Sequence, residues 1–130
     1  MANVIEIFTS FRGRISRKSY WQGTVILIGL SAAGSLIWSD TIWQLVLIFP
    51  STALAVKRIN DRDWPNWLGY ACGLIAVLYY IPLAGPEISM TEIIAASILA
   101  LPLLFAMIDN GFMRGSSGPN GYGPDPLQST

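Results

Sequence analysis

The residues of this chain that could do chemistry are mainly charged ones, and they are densest in the segment VKRINDRDWPNW at residues 56–67. Five charges lie between Lys57 and Asp63. Arginine side chains pair with phosphate and carboxylate groups through two parallel hydrogen bonds. Asp61 and Asp109 supply carboxylates that a general base would need. The segment therefore indicates anion binding or ion pairing, with proton transfer as the weaker interpretation.

Other chemical signals are scarce. The sequence has no histidine, and its single cysteine, Cys72, cannot form an intramolecular disulfide. It contains neither a Walker loop nor a GxSxG motif. We therefore predict no catalytic residues, no metal site and no cofactor, and a protein that is not an enzyme. The alternative is a membrane-embedded enzyme that acts on lipid headgroups and uses Asp61 or Asp109 as its base.

The composition points to a membrane protein. Hydrophobic residues make up 52% of the 130 positions and charged residues 12%, whereas soluble domains carry about 25% charged residues. So few charges cannot cover a soluble surface. The net charge is zero, which gives no general attraction to nucleic acid. We predict a single membrane domain over residues 1–130 and no nucleic-acid partner.

Long uncharged runs define the elements that must position the charges. A bilayer core of about 30 Å requires roughly 20 helical residues. The runs are continuous rather than alternating, which favours helices over barrel strands. We predict an all-α, multi-pass protein; the alternative is a soluble helical bundle. The four predicted transmembrane helices are 19–39, 41–57, 64–85 and 89–109.

The basic residues predict the orientation of these spans. With four spans and a cytoplasmic N-terminus, all eight basic residues fall on the cytoplasmic side, as the positive-inside rule requires. The C-terminal tail, residues 110–130, is then cytoplasmic as well, and is either flexible or folded over the helices. The outer connections carry Asp40 and Glu87. Residues 4–11 predict a short interfacial helix, with a frayed terminus as the alternative.

Local motifs refine the helix ends and contacts. Asp63 is predicted to cap the third span, with Pro65 in its first turn. The sequence SMTE at 89–92 predicts a capping box for the fourth span. The sequence GYACG at 69–73 is a GxxxG pattern, which we interpret as a helix-packing face.

Three segments, in order, resemble the bacterial domain-of-unknown-function 805 family, small inner-membrane proteins of the YhaH/YhaI type. They are FRGRISRKSYW (11–21), LAVKRINDRDWPNW (54–67) and GSSGPNGYGPDP (115–126). The resemblance covers nearly the whole chain and implies a multi-pass protein of the bacterial inner membrane, without an established activity. Members often carry histidine before the aspartate, where this chain has Asn60. Any proton transfer by that histidine is therefore not open to this chain.

The matching positions and the predicted topology place a polar cluster on the cytoplasmic face. Its candidate members are Arg14, Arg17, Arg58, Asp61 and Asn120; Arg62, Asp63 and Asp109 are predicted to lie nearby. Ion pairs there either staple the helix ends together or bind anionic lipid headgroups.

These observations favour a non-enzymatic membrane interaction protein or lipid-binding protein. Its expected partners are membrane lipids, a second copy of the chain or another membrane protein. The alternative is a subunit of a small-molecule or ion transporter, although no charge lies deep within a predicted span.

Overall fold

The computed structural model describes residues 4–37, 41–81 and 87–128, and these residues form five helices and no strand. The helices are α1 (Val4–Thr9), α2 (Arg17–Ile37), α3 (Thr41–Asp61), α4 (Trp67–Tyr80) and α5 (Met90–Phe112). The all-α prediction is confirmed. The predicted outer-loop residue Asp40 and the last part of the predicted third span, residues 82–85, lie outside the described residues.

Three of the helices, α2, α3 and α5, are long and apolar enough to cross a membrane, and α4 is a shorter apolar helix of 14 residues. Their outer surfaces carry large hydrophobic side chains, such as Leu36, Leu101 and Phe105, that are more than half exposed. An aqueous surface rarely carries so much contiguous apolar area, whereas lipid solvates it without cost. The fold is therefore that of a helical membrane protein.

Helix α3 is the centre of the fold and packs against α1, α2 and α4. Its residues Ala53, Leu54 and Val56 are almost completely buried. The two glycines of the GxxxG pattern in α4 face it. A Cβ atom on Gly69 would lie 2.7 Å from the Cα of Val56, and a Cβ on Gly73 would overlap Thr52. The prediction that this pattern is a packing face is confirmed, because only glycine allows so close an approach.

The helix ends confirm one sequence prediction and correct another. Ser89 and Glu92 form the predicted capping box at the start of α5. The cap predicted at Asp63 is wrong: Asn66 precedes α4 and makes no side-chain cap bond. Asp63 has φ 58°, a left-handed conformation that aspartate tolerates in turns. Pro65 consequently lies before α4, and its carbonyl accepts a hydrogen bond from the Leu68 N–H at 3.2 Å.

The short helix α1 is attached to α3 through a lysine. The Lys57 Nζ donates to the carbonyl oxygens of Glu6 and Ile7, at 3.2 Å for Ile7. The Glu6 carbonyl also accepts from the Ser10 N–H at 3.1 Å, so Lys57 adds further bonds at the end of this six-residue helix, where carbonyls lack partners within the helix. Lys57 is therefore buried as a helix cap, and the segment after α1 is held against the end of α3.

Candidate functional site at the polar end

The charged segments converge at one end of the helices, where α3 and α5 end and α2 and α4 begin; we call this the polar end. Four parts of the chain meet there: the connection before α2, the end of α3, the end of α5 and the tail 113–128. The members of the predicted cluster are distributed over these parts. The structure thus brings together residues that are up to 109 positions apart in the sequence.

At the centre of the polar end lies a buried ion triad made of Arg14, Arg58 and Asp61. Arg14 Nε donates to Asp61 Oδ1 at 3.0 Å, and Arg58 forms an ion pair with Asp61 Oδ2. The side chains of Arg14, Arg58 and Asp61 are only 1%, 0% and 5% exposed. One carboxylate thus neutralises part of the charge of two buried guanidinium groups, which is a bifurcated and charge-assisted arrangement.

Backbone carbonyls occupy the remaining donors of both arginines. Arg14 donates to the carbonyls of Ser116 and Gly118, each at 2.7 Å. Arg58 Nε donates to the Asn110 carbonyl at 2.7 Å, and another of its nitrogens donates to the Met113 carbonyl. Met113 is the C-cap of α5, so Arg58 also neutralises the negative end of that helix. The triad is internally satisfied and joins α3, α5 and the tail.

The tail folds back over the triad. The Ser116 N–H donates to the Asp61 carbonyl at 2.8 Å. Asn120 Nδ2 donates to the Asn60 carbonyl at 2.9 Å and to Ser116 Oγ at 3.0 Å. A Cβ atom on Gly115 would overlap the Asp61 carboxylate. Asn120 therefore contacts the backbone of α3 rather than a charged group.

Asp125 closes the tail on itself. Its carboxylate accepts hydrogen bonds from the N–H groups of Leu127, at 2.9 Å, and Gly118, at 3.0 Å. These two bonds, with smaller contributions from the charges of Arg14 and Arg114, hold the pKa of Asp125 below its ordinary value of 3.8. The carboxylate is therefore committed to the tail and does not neutralise the neighbouring arginines by direct pairing.

This pKa shift predicts the pH at which the tail contact is lost. Because the folded pKa is lower than that of the free carboxyl group, the stabilisation is complete above 3.8 and disappears as the pH falls through the lowered value. We expect the Gly118 amide resonance, followed by NMR in micelles, to titrate with a midpoint below 3.8. Asp125→Asn should abolish this titration. A midpoint at or above the ordinary value contradicts the assignment.

The other charged residues lie around the triad. Arg62 pairs with Asp109, and its guanidinium carbon lies 3.9 Å from the centre of the Trp64 ring. Partial burial lowers the pKa of Arg62. Asp63 is exposed. Arg17 is also exposed and lies outside the triad, since it donates to the Phe112 carbonyl at 3.3 Å.

Next to the triad is a cavity of about 330 Å³, which we call the basic cavity. Three exposed cations line it, Arg17, Lys18 and Arg114. Among the described residues, neither Lys18 nor Arg114 has an ion pair or a hydrogen-bonded side-chain partner. The other lining groups are Ser16, Ser116, Ser117, Gly115, Leu127, and the already paired Arg58, Asp61 and Asp125.

Sequence reasoning missed Lys18, Arg114 and Ser16 as members of this site. Lys18 and Ser16 lie within the first family-like segment, and Arg114 lies one residue before the third. Lys18 and Arg114 are exposed like any solvated charge, so only the folded tail reveals that they share a cavity with Ser16. Asn60 is buried and donates from Nδ2 to the Gly13 carbonyl at 3.1 Å.

An all-helical, lipid-exposed chain whose charges gather at one end defines a small multi-helix membrane protein. The chain belongs to the family described as "Protein of unknown function (DUF805)", whose model matches residues 8–124. The resemblance seen in the three segments is thereby confirmed.

Relatives in Escherichia coli (strain K12) agree with this assignment. The inner membrane protein YhaI is 28% identical over 95% of this chain and 92% of its own length. The inner membrane protein YhaH is 26% identical with the same coverage. The uncharacterized protein YiiR is 28% identical over 89% of this chain and 85% of its own length. No solved structure matches the chain.

Proposed function

We propose that this protein is a non-enzymatic, four-span protein of the bacterial inner membrane that binds the headgroup of an anionic phospholipid in its basic cavity. The observation that carries the proposal is the group of three exposed cations, Arg17, Lys18 and Arg114, around one cavity at the polar end. Both termini are cytoplasmic in this proposal, so the cavity faces the inner leaflet, where anionic lipids give a negative surface potential.

The orientation has support from the distribution of charge. The basic residues of the described segments lie before α2 or in its first turn, at the end of α3 or just after it, and after α5. In this proposal the shorter helix α4 serves as the third span, together with the uncharged residues 64–66 and Ile81 at its ends. Relatives that are named inner membrane proteins support the location.

The arginines differ in burial and in hydrogen-bond partners, and this difference favours the basic cavity as the binding site. Arg14 and Arg58 are buried and donate to the carbonyls of the chain itself, so a phosphate could reach them only by breaking those bonds. These two arginines staple the helix ends and the tail together. Arg17, in contrast, faces the cavity with one bond to a carbonyl. Hence three members of the predicted cluster, Arg17, Arg58 and Asp61, line the headgroup site; of these only Arg17 is exposed, and Lys18 and Arg114 are two new cations.

The cavity suits a phosphate diester in three respects. Arginine and lysine provide charge, and the guanidinium fork matches two phosphate oxygens. The Ser117 hydroxyl, and that of Ser16 when Ser19 is the donor in the bond between them, can donate to the remaining oxygens, whereas the Ser116 hydroxyl donates to the Asp61 carbonyl at 3.0 Å. Its position beside the start of α2 allows the acyl chains to continue along that apolar helix. The acidic lining residues Asp61 and Asp125 are already held by arginines or by backbone N–H groups.

Catalysis has less support, because the carboxylates that would act as bases are paired. Asp61 contacts two arginines, and Asp109 contacts Arg62. A paired carboxylate is a poor proton acceptor for a substrate. Association with a second copy or with another membrane protein remains a prediction from the sequence.

The proposal is tested by lipid selectivity in nanodiscs. Spin-labelled phosphatidylglycerol and phosphatidylcholine are compared by electron paramagnetic resonance for the wild type and for the variant Arg17→Gln/Lys18→Gln/Arg114→Gln. Each cation near an anionic surface contributes about 1 kcal/mol, so we expect the triple variant to lower the preference for phosphatidylglycerol by about tenfold or more. The five remaining basic residues, of eight in the chain, still favour the same orientation.

The matched control is Arg12→Gln, which removes an exposed cation that does not line the cavity. It should leave the selectivity almost unchanged. Equal selectivity in the wild type and the triple variant contradicts headgroup binding at this cavity. So does a loss in Arg12→Gln as large as the loss in the triple variant, because that result indicates a diffuse charge effect.

A further inference from the structure

We propose that a second cavity, lined by α2, α3, α4 and α5, binds a small neutral molecule that has an apolar body and one hydroxyl group, and that Asn110 is its hydrogen-bond partner. This interhelical cavity is separate from the basic cavity and takes a ligand of different chemistry, dissolved in the bilayer rather than presented as a charged headgroup. The inference does not depend on headgroup binding.

The interhelical cavity has a volume of about 230 Å³. Its walls come from Tyr20 to Ile28 of α2, Ser51 to Ala55 of α3, Cys72 to Ala76 of α4 and Leu103 to Asn110 of α5. An apolar cavity of about 150 Å³ is large enough to hold benzene. The space between the helices therefore accommodates one ring with a substituent, or the end of a branched chain.

Asn110 gives this cavity a specific polar partner. The residue is 3% exposed, and its Oδ1 has no hydrogen-bond partner in the part of the chain that the structure describes. Its backbone carbonyl accepts from Arg58 Nε, which fixes the residue in position. A buried carbonyl without a donor loses its hydration without compensation. Asn110 lines the cavity, and rotation of its side-chain amide turns Oδ1 toward that space. A ligand hydroxyl that donates to Oδ1 then restores the missing bond.

The threonine and serine hydroxyl groups around the cavity already donate to backbone carbonyls. Thr24 Oγ1 donates to the Tyr20 carbonyl at 2.9 Å, and Thr52 Oγ1 donates to the Ile48 carbonyl at 2.7 Å. Ser51 donates to the same Ile48 carbonyl at 2.9 Å. None of the described lining residues is charged. Since burying an unpaired ion is costly, the cavity selects a neutral ligand.

The position of Asn110 also sets the direction of the ligand. Asn110 lies near the end of α5, whereas Leu103 lies seven residues earlier, about 10 Å deeper along the helix axis. Leu27, Ile28 and Met107 add apolar surface to the wall. A molecule with its hydroxyl at Asn110 and its apolar body toward Leu103 has the orientation that amphiphiles adopt in a bilayer.

The ligand is either a small phenol or the hydroxyl-bearing end of a neutral lipid. Both have an apolar body and a hydroxyl donor, and photolabelling tests whether the cavity binds a molecule of that kind. The probe is a phenol that carries a diazirine, added to the protein in phosphatidylcholine nanodiscs, and its methyl ether is the donor-free control. We expect saturable labelling of peptides that contain Tyr20–Ile28 or Leu103–Asn110. Labelling should fall about fivefold for the ether, the factor that one hydrogen bond of ordinary net strength supplies.

Two variants test the assignment to Asn110 and to the cavity. Asn110→Leu removes the acceptor and should reduce phenol labelling about fivefold, without lowering the thermal midpoint, because it removes an unpaired polar group. Ala106→Leu fills the cavity and should block labelling, whereas Ala33→Leu, at an exposed position of α2, should not. If Asn110→Leu does not fold, the comparison of Ala106→Leu with Ala33→Leu still shows whether the probe binds in the interhelical cavity.

Labelling that is equal for the phenol and its ether, or equal in all variants, overturns the proposal. Labels confined to lipid-facing residues such as Leu101 and Phe105, or no saturable labelling, overturn it as well. Native mass spectrometry then distinguishes a neutral lipid from a small phenolic solute as the ligand. A neutral hydroxyl lipid retained by the wild type and lost from Asn110→Leu identifies a lipid, and saturable phenol labelling without such a lipid identifies a small solute.

Discussion

Replacing Asp61 with asparagine is expected to destabilise the folded protein by about 3–5 kcal/mol, the cost of breaking a buried ion pair by removing one partner. Asp61 is 5% exposed and contacts both Arg14 and Arg58, whose side chains are 1% and 0% exposed. Asparagine keeps the shape of the side chain and removes its charge. Two buried guanidinium groups then remain without a counter-charge, and the tail that they hold is released.

The matched control is Asp63→Asn, the same change two positions later in the sequence. Asp63 is exposed, so its replacement should change the free energy of unfolding by no more than about 0.5 kcal/mol. Equilibrium unfolding in mixed micelles measures both variants. Hydrogen exchange should show faster exchange in the tail, including the Ser116 N–H, only for Asp61→Asn. Equal stability of the two variants contradicts the structural role of the triad.

Gly69→Ala is expected to separate α3 from α4 at a cost of up to about 3 kcal/mol, the upper range for overpacking a tight contact. The new Cβ would lie 2.7 Å from the Cα and 2.9 Å from the N of Val56. These are backbone atoms, so no side-chain rotation relieves the contact, and one helix must move. Since α3 also carries Arg58 and Asp61, the movement disturbs the polar end as well.

Gly29→Ala is the control for this prediction. It makes the same substitution within an apolar helix, but its Cβ would have no atom within 4 Å beyond its own helix and neighbours. It should leave the free energy of unfolding in micelles unchanged or slightly increased, because alanine forms helices better than glycine. If both variants lose the same stability, the effect belongs to glycine in membrane helices generally and not to the contact between α3 and α4.

Much of the helical framework could be predicted from the sequence, because it depends on local features. Uncharged runs indicate helices directly, and the Ser89–Glu92 capping box and the Gly69–Gly73 packing face need only short-range spacing. The cap at Asp63 was wrong for a local reason too. The turn after α3 places Asp63 in the left-handed region, which moves the start of α4 to Trp67.

The candidate site could be predicted only in part, because it depends on distant contacts. Arg58 and Asp61 are three residues apart on one helix, so their pairing follows from helical spacing. The bonds from Arg14 to the carbonyls of Ser116 and Gly118 join positions more than 100 residues apart. Carbonyl groups are present at every residue and leave no pattern in the sequence. The return of the tail over the triad, and the cavity that it creates, therefore required the structure.

The cations at the polar end are of two kinds, buried and paired or exposed and unbonded to a carboxylate, and this difference connects the fold to the proposed function. Arginines that are held by Asp61 and by carbonyls support the helix ends, and their removal should unfold or loosen the protein. Cations that form no ion pair in the part of the chain that the structure describes, such as Lys18 and Arg114, contribute little to folding and remain available to a ligand. Stability and lipid binding should therefore be separable by mutation, with the triad affecting the first and the basic cavity affecting the second.

The most direct test is native mass spectrometry of protein extracted gently from its own membrane, with the wild type beside Arg17→Gln/Lys18→Gln/Arg114→Gln. The account predicts an anionic phospholipid that stays bound to the wild type and to Arg12→Gln and is absent from the triple variant, while all three remain folded. A wild type without bound lipid, or a triple variant that retains the same lipid, would contradict a headgroup site in the basic cavity.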